Sequence, residues 1–227
     1  MAAYGLIVVL MGGGLLAWTA ALAAWLHRRF GVPYPLLTVG IVTYIVALGI
    51  QAALLGVVDR ALLGILPVGA LAMGVLAGFS EETLRALGYQ MLTPGAVTRP
   101  QALMIGAGHG LTGTVYTALI AISVGLSALS GNAAGEAAPL SLVSRTWAEA
   151  LNGALPVLMH MALSWLVLQA FLRGELYWLF VAIFIHATVE IMATLLGPND
   201  AWSVVAWRAL VALASVAAIV RVRGPGL

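Results

Sequence analysis

Seven apolar windows follow one another along the chain, at 5–26, 36–58, 66–89, 102–126, 148–172, 176–196 and 202–220. A helix needs about 20 apolar residues to cross a bilayer. In lipid, backbone polar groups must be satisfied within the segment or in a closed barrel, so uninterrupted apolar runs of this length have the helix as their solution. The spacing predicts an all-α, polytopic membrane helix bundle of about seven transmembrane helices, forming one transmembrane domain over 1–227. Composition excludes the soluble alternative. Of the 227 residues, 63% are hydrophobic and only 8% charged, where a soluble domain carries about 25%.

The breaks between windows carry turn chemistry. Pro33 and Pro35 flank Tyr34, Asp59-Arg60 parts the second and third windows, and Pro94-Gly95 with Pro100 parts the third and fourth. Arg173-Gly174-Glu175 is a tight link, and Gly197-Pro198-Asn199-Asp200 ends the sixth window. The longest connection, 127–146, contains Asn132, Glu136 and Pro139 and is rich in Ala, Ser and Gly. It is expected to be an extramembrane loop or a short surface helix.

All ten basic residues are arginine. They are spread one or two per connection rather than gathered into a patch, so nucleic acid is not an expected partner. Their distribution reports topology instead. With the N-terminus outside, the inner segments carry Arg28, Arg29, Arg99, Arg173, Arg221 and Arg223, and the outer ones Arg60, Arg145 and Arg208. The positive-inside rule then puts the C-terminus in the cytoplasm. The first window has no basic residue before it and His27-Arg28-Arg29 after it. This is the reverse of a cleaved signal, and a retained helix is expected. No cysteine is present, which rules out disulfides, thiolate nucleophiles and Cys-ligated metals.

Against that background one stretch stands apart. Gly78-Phe79-Ser80-Glu81-Glu82-Thr83-Leu84-Arg85 places three charges inside the third window. A charge at the centre of a bilayer helix costs about 2.5–3.5 kcal/mol on insertion scales, so such groups are rarely decorative. Arg85 is one helical turn from both Glu81 and Glu82 and can neutralise one of them. A structural ion pair would account for one carboxylate, but not for the second.

Three histidines join the set. His109 lies between glycines in the fourth window, and His160 follows Pro156 by four residues in the fifth. Proline has no N–H for the carbonyl four residues back, so the Asn152 carbonyl is freed towards a cavity or water. His186 and Glu190 are spaced i,i+4 on the sixth window. On one helix face they can share a metal, or the carboxylate can fix the imidazole's tautomer. Each histidine alone could be a packing residue with a satisfied hydrogen bond. Together the groups come from four helices, and one common pocket satisfies them most economically. Two GxxxG steps, Gly74/Gly78 and Gly106/Gly110, allow close helix approach. The functional expectation is that such approach brings His109 to Glu81 or Glu82.

Taken in order, Glu81-Glu82 with Arg85, Gly108-His109-Gly110, His160-Met161-Ala162-Leu163-Ser164 and Ile185-His186-Ala187-Thr188-Val189-Glu190 resemble the motifs of the CPBP group, the CAAX proteases and bacteriocin-processing enzymes. Within it the chain is more similar to the YhfC family of intramembrane metalloproteases, over roughly residues 1–220. The resemblance implies a peptidase in a prokaryotic plasma membrane, acting on a peptide or membrane-protein substrate. It implies catalytic roles for Glu81, Glu82, Arg85, His109, His186 and Glu190. It also implies a divalent metal, with Zn2+ the expected ion, held by His109, His160, His186 and Glu81. Either Glu81 or Glu82 would serve as general base, and a metal-free route with a Glu-activated water stays open. Two other classes fit the same residues. Buried Glu, His and Arg also build proton-coupled transporters or channels, and a catalytically inactive scaffold could retain the site.

Overall fold

The computed structural model describes residues 2–58, 60–131, 140–197 and 200–224. Asp59, Asn132, Glu136, Pro139, Pro198 and Asn199 lie outside them. The described residues form nine helices: α1 (Ala2–Phe30), α2 (Pro35–Val57), α3 (Arg60–Leu63), α4 (Leu66–Met91), α5 (Arg99–Leu129), α6 (Leu140–Ala154), α7 (Pro156–Arg173), α8 (Tyr177–Leu196) and α9 (Ala201–Arg221). Six stretches are long and apolar enough to cross a membrane, with α6 and α7 counted together as one. The seventh expected helix, α4, is not among them; its 26 residues hold the three buried charges.

Two expectations are corrected. The fifth window does not form one helix from 148 to 172. It is split at Leu155, because Pro156 cannot continue α6 and instead starts α7. The connection expected over 127–146 is also shorter. Helix α5 runs on to Leu129, and α6 already begins at Leu140. The apolar residues Leu142 and Val143 explain that early start, since they pack against Tyr4, Val8 and Ala121 of α1 and α5.

Burial is inverted relative to a soluble protein. Leu10, Phe184 and Leu213 are 65%, 72% and 70% exposed, while Glu82, Arg85 and His109 are fully buried. That is the arrangement a lipid solvent imposes.

Glycines set the helix contacts. A methyl group on Gly74 or Gly78 would fall 2.8 or 2.7 Å from backbone atoms of Ala187 and Ile183, so α4 lies directly on α8. Gly106 and Gly110 press in the same way on His160 and Val157 of α7. The tightest contact is elsewhere: Gly40 of α2 faces the Ile105 carbonyl and His109 N–H, and Gly108 faces the Leu37 carbonyl. The two GxxxG steps therefore seat α8 and α7, and α2 is what rides against the His109 turn.

The bundle has two unlike ends. At the end bearing the N-terminus, Tyr4 bonds Thr146 at 3.2 Å and Trp202 donates to Ser144 at 2.9 Å. At the opposite end the chain is stitched closed. The Val222 carbonyl accepts from Arg99 and from Trp165 (3.2 and 3.0 Å), and Arg173 donates to the Arg223 carbonyl at 2.7 Å.

Candidate active site

Helix α4 supplies the centre. One Glu81 oxygen, Oε2, accepts from His109 Nε2 of α5 at 2.8 Å and lies 3.7 Å from His186 Nε2 of α8. The other, Oε1, accepts from the Gln51 amide of α2 at 3.1 Å. Glu81 is thus held on both oxygens, by an imidazole and an amide, and no guanidinium neutralises it.

Glu82, its neighbour, is placed differently. Its Oε2 is paired with Arg85, and its Oε1 accepts from His186 Nδ1 at 2.7 Å. With the proton on Nδ1, a neutral His186 presents an unprotonated Nε2 towards Glu81. Arg85 also reaches His160 Nδ1 of α7 at 3.2 Å. A guanidinium only donates, so that nitrogen must accept, and a neutral His160 carries its proton on Nε2. One buried arginine therefore sets the tautomer of His160 directly, and sets that of His186 through Glu82.

A cavity of about 690 Å³ reaches this group, lined among others by Glu81, His160, His186, Gln51, Tyr44, Glu190 and Arg208. His109, Glu82 and Arg85 stand behind that surface, fully buried. The three imidazoles follow one another, tilted for His109–His160 with ring centroids 4.9 Å apart and edge-on for His160–His186 at 5.2 Å.

Glu190 lies on the cavity wall but pairs with Arg208 at 3.4 Å rather than with His186. The tautomer-fixing partner expected for His186 within its own helix is supplied by Glu82 of α4 instead. The Asn152 carbonyl, freed by Pro156, accepts from Arg208. Ser164 bonds Tyr89 at 2.7 Å and is not paired with His160. Asp200 caps α9 through the N–H groups of Trp202 and Ser203, as its place at a helix end suggests.

Sequence reasoning missed the α2 contribution. Gly40, Thr43, Tyr44, Ala47 and Gln51 share one helix face, and Thr43 and Tyr44 both touch His109. The signal was there, since Gln51 is the one amide side chain in that window. Arg208, read from sequence only as a topology marker, also belongs to the cavity.

Among the described residues, two sets of buried groups could hold a metal ion, Glu81 with His109 and His160, and Glu82 with His160 and His186. Nitrogen and carboxylate donors of this kind suit a divalent ion. The first set fits better, because Arg85 already occupies Glu82. Ligation by His160 Nε2 would compete with the Arg85 bond, since it moves the ring proton to Nδ1. No family model, curated protein or solved structure matches this chain.

Proposed function

We propose that the chain is an intramembrane peptidase in which Glu81 activates the attacking water. One observation carries this reading: a carboxylate paired with no arginine forms the floor of a cavity inside a membrane bundle, between His109 and His186. As in the resemblance to the CPBP group and its YhfC family, the two acidic residues and the later histidines act together.

Glu81 takes a proton from water held at the cavity floor, and the hydroxide so formed attacks the scissile carbonyl carbon. His109 and Gln51 keep the carboxylate aimed. The His160 Nε2–H donates to the oxygen on which negative charge develops. The proton held by Glu81 passes to the leaving nitrogen as the C–N bond breaks. Glu82 and Arg85 orient His186 and His160 and do not touch substrate. A divalent ion, Zn2+ on this reading, would be held by Glu81, His109 and His160; it would replace the Glu81 base and the His160 Nε2–H, supplying instead a polarised carbonyl and a bound water of pKa about 7. Glu190 and Arg208 form the cavity wall beyond the reacting atoms. The Arg distribution orients the protein with its N-terminus outside and its C-terminus in the cytoplasm of a prokaryotic plasma membrane.

A proton-coupled transporter is the second reading, favoured by the chain of adjacent imidazoles and buried carboxylates. It needs a route to the opposite face, and there Leu26, Leu36, Met104, Ile105 and Trp165 fill the bundle. The deciding experiment is cleavage of a peptide library by purified protein in detergent, with and without a chelator, beside its Glu81→Gln variant. Cleavage that is absent from the variant supports the peptidase. Cleavage by both proteins equally, or no cleavage together with proton-coupled flux in liposomes, overturns it.

A further inference from the structure

The cavity has a direction. Its lining comes from the first turns of α1 (Tyr4, Val8), α2 from Tyr44 onwards (Tyr44, Gln51, Leu55) and the first part of α4 up to Glu81. From α5 it takes residues 110 onwards, from α8 residues 186 onwards, and from α7 only Pro156 and His160. All of these lie in the half of the bundle that bears the N-terminus, and Glu81, Gly110, His160 and His186 mark its floor. From Gly110 back to Arg99, α5 runs about 16 Å at 1.5 Å per residue. That depth is packed with apolar side chains, Leu103, Met104, Ile105 and Trp165 among them. The mouth is bordered by α6, where Arg145 and Glu149 are paired at 3.0 Å and exposed.

The arginines point the other way. Arg28, Arg29, Arg99, Arg173, Arg221 and Arg223 sit at helix ends on the closed side, and Arg60, Arg145 and Arg208 on the open side. Cytoplasmic segments carry the excess of positive charge, so the open side faces away from the cytoplasm.

We propose that this site is entered only from the extracytoplasmic face, and that its substrate is an extended peptide segment presented there. Val8, Met11 and Leu142 offer apolar contacts along the entry, while Arg145, Glu149, Glu190 and Arg208 offer charged ones. A cytosolic chain terminus meets the sealed end instead. Calling the entrant a substrate peptide rests on the peptidase reading; the side of entry does not.

The chain has no cysteine, so single-cysteine variants of the full protein report access without further changes. Glu149→Cys marks the mouth, Thr117→Cys and Thr146→Cys the cavity wall, and Phe30→Cys the closed end with every arginine kept in place. Bacterial cells producing each variant are treated with a membrane-impermeant maleimide, intact and after permeabilisation. The expected result is equal labelling of Glu149→Cys and of at least one wall variant in both samples, and labelling of Phe30→Cys only after permeabilisation. The reverse pattern, or a wall cysteine labelled only after permeabilisation, overturns the proposal. Because labelling needs no activity, its result is independent of whether any peptide is cleaved.

Discussion

The two halves of this bundle use the same helices for opposite purposes. On the closed side, Leu26, Met104, Ile105 and Trp165 are fully or almost fully buried, and backbone carbonyls near the C-terminus are taken by arginine and tryptophan donors. On the open side the same helices diverge around a cavity whose floor is a carboxylate between imidazoles. The comparison teaches where each kind of polar group can be kept. Glu82 and Arg85 neutralise each other inside the packing, whereas Glu81, held by imidazole and amide donors, has no arginine and lies where the bundle opens.

The contrast can be broken at graded strength. Glu81→Gln keeps the shape and one acceptor oxygen for Gln51 or His109 but removes the base, and on the peptidase reading turnover should fall about 10²–10⁴-fold. The thermal midpoint in detergent, measured beside turnover, should stay near that of the parent. Arg85→Met strands Glu82 in the packed interior. Breaking a buried pair in this way costs about 3–5 kcal/mol, read as a large loss of thermal stability. Adding Glu82→Gln should recover part of it. If the double variant is no more stable than the single one, the pair is not what orders this region.

Gly40→Ala forces a methyl against the backbone of α5 and should cost about 1–3 kcal/mol as overpacking. Gly113→Ala, with only the Tyr44 side chain nearby at 3.5 Å, should be nearly silent in the same melt. The smallest effect belongs to the mouth. Glu149→Gln removes an exposed i,i+4 pair of the kind worth about 0.3–0.5 kcal/mol, and stability should be unchanged within error.

The architecture was legible because lipid leaves a chain few options. Windows of about 20 apolar residues located the six described stretches apolar enough to cross a membrane, and the buried charges on α4 stood out since nothing else there needed water. Less legible was what tertiary contact decides. Pro156 signalled a break, but the sequence did not show whether the chain would kink or start a new helix. The spacing of His186 and Glu190 placed them on one face, yet a carboxylate can choose between partners on its own helix and on a neighbour. In the fold His186 turns to Glu82, and Glu190 to Arg208. Thr43, Tyr44 and Gln51 passed unnoticed because uncharged polar groups are cheap enough in membrane helices to raise no alarm.

The contact between Gly40 and Gly108 has a mechanical consequence. With backbone on backbone, α2 cannot slide along α5 at the level of His109, so it can only pivot there. Gln51 lies 11 residues beyond that fulcrum, about 16 Å along the lever arm. Leu55, one turn beyond Gln51, lines the cavity with it, so the rim and the amide that steadies Glu81 belong to one lever.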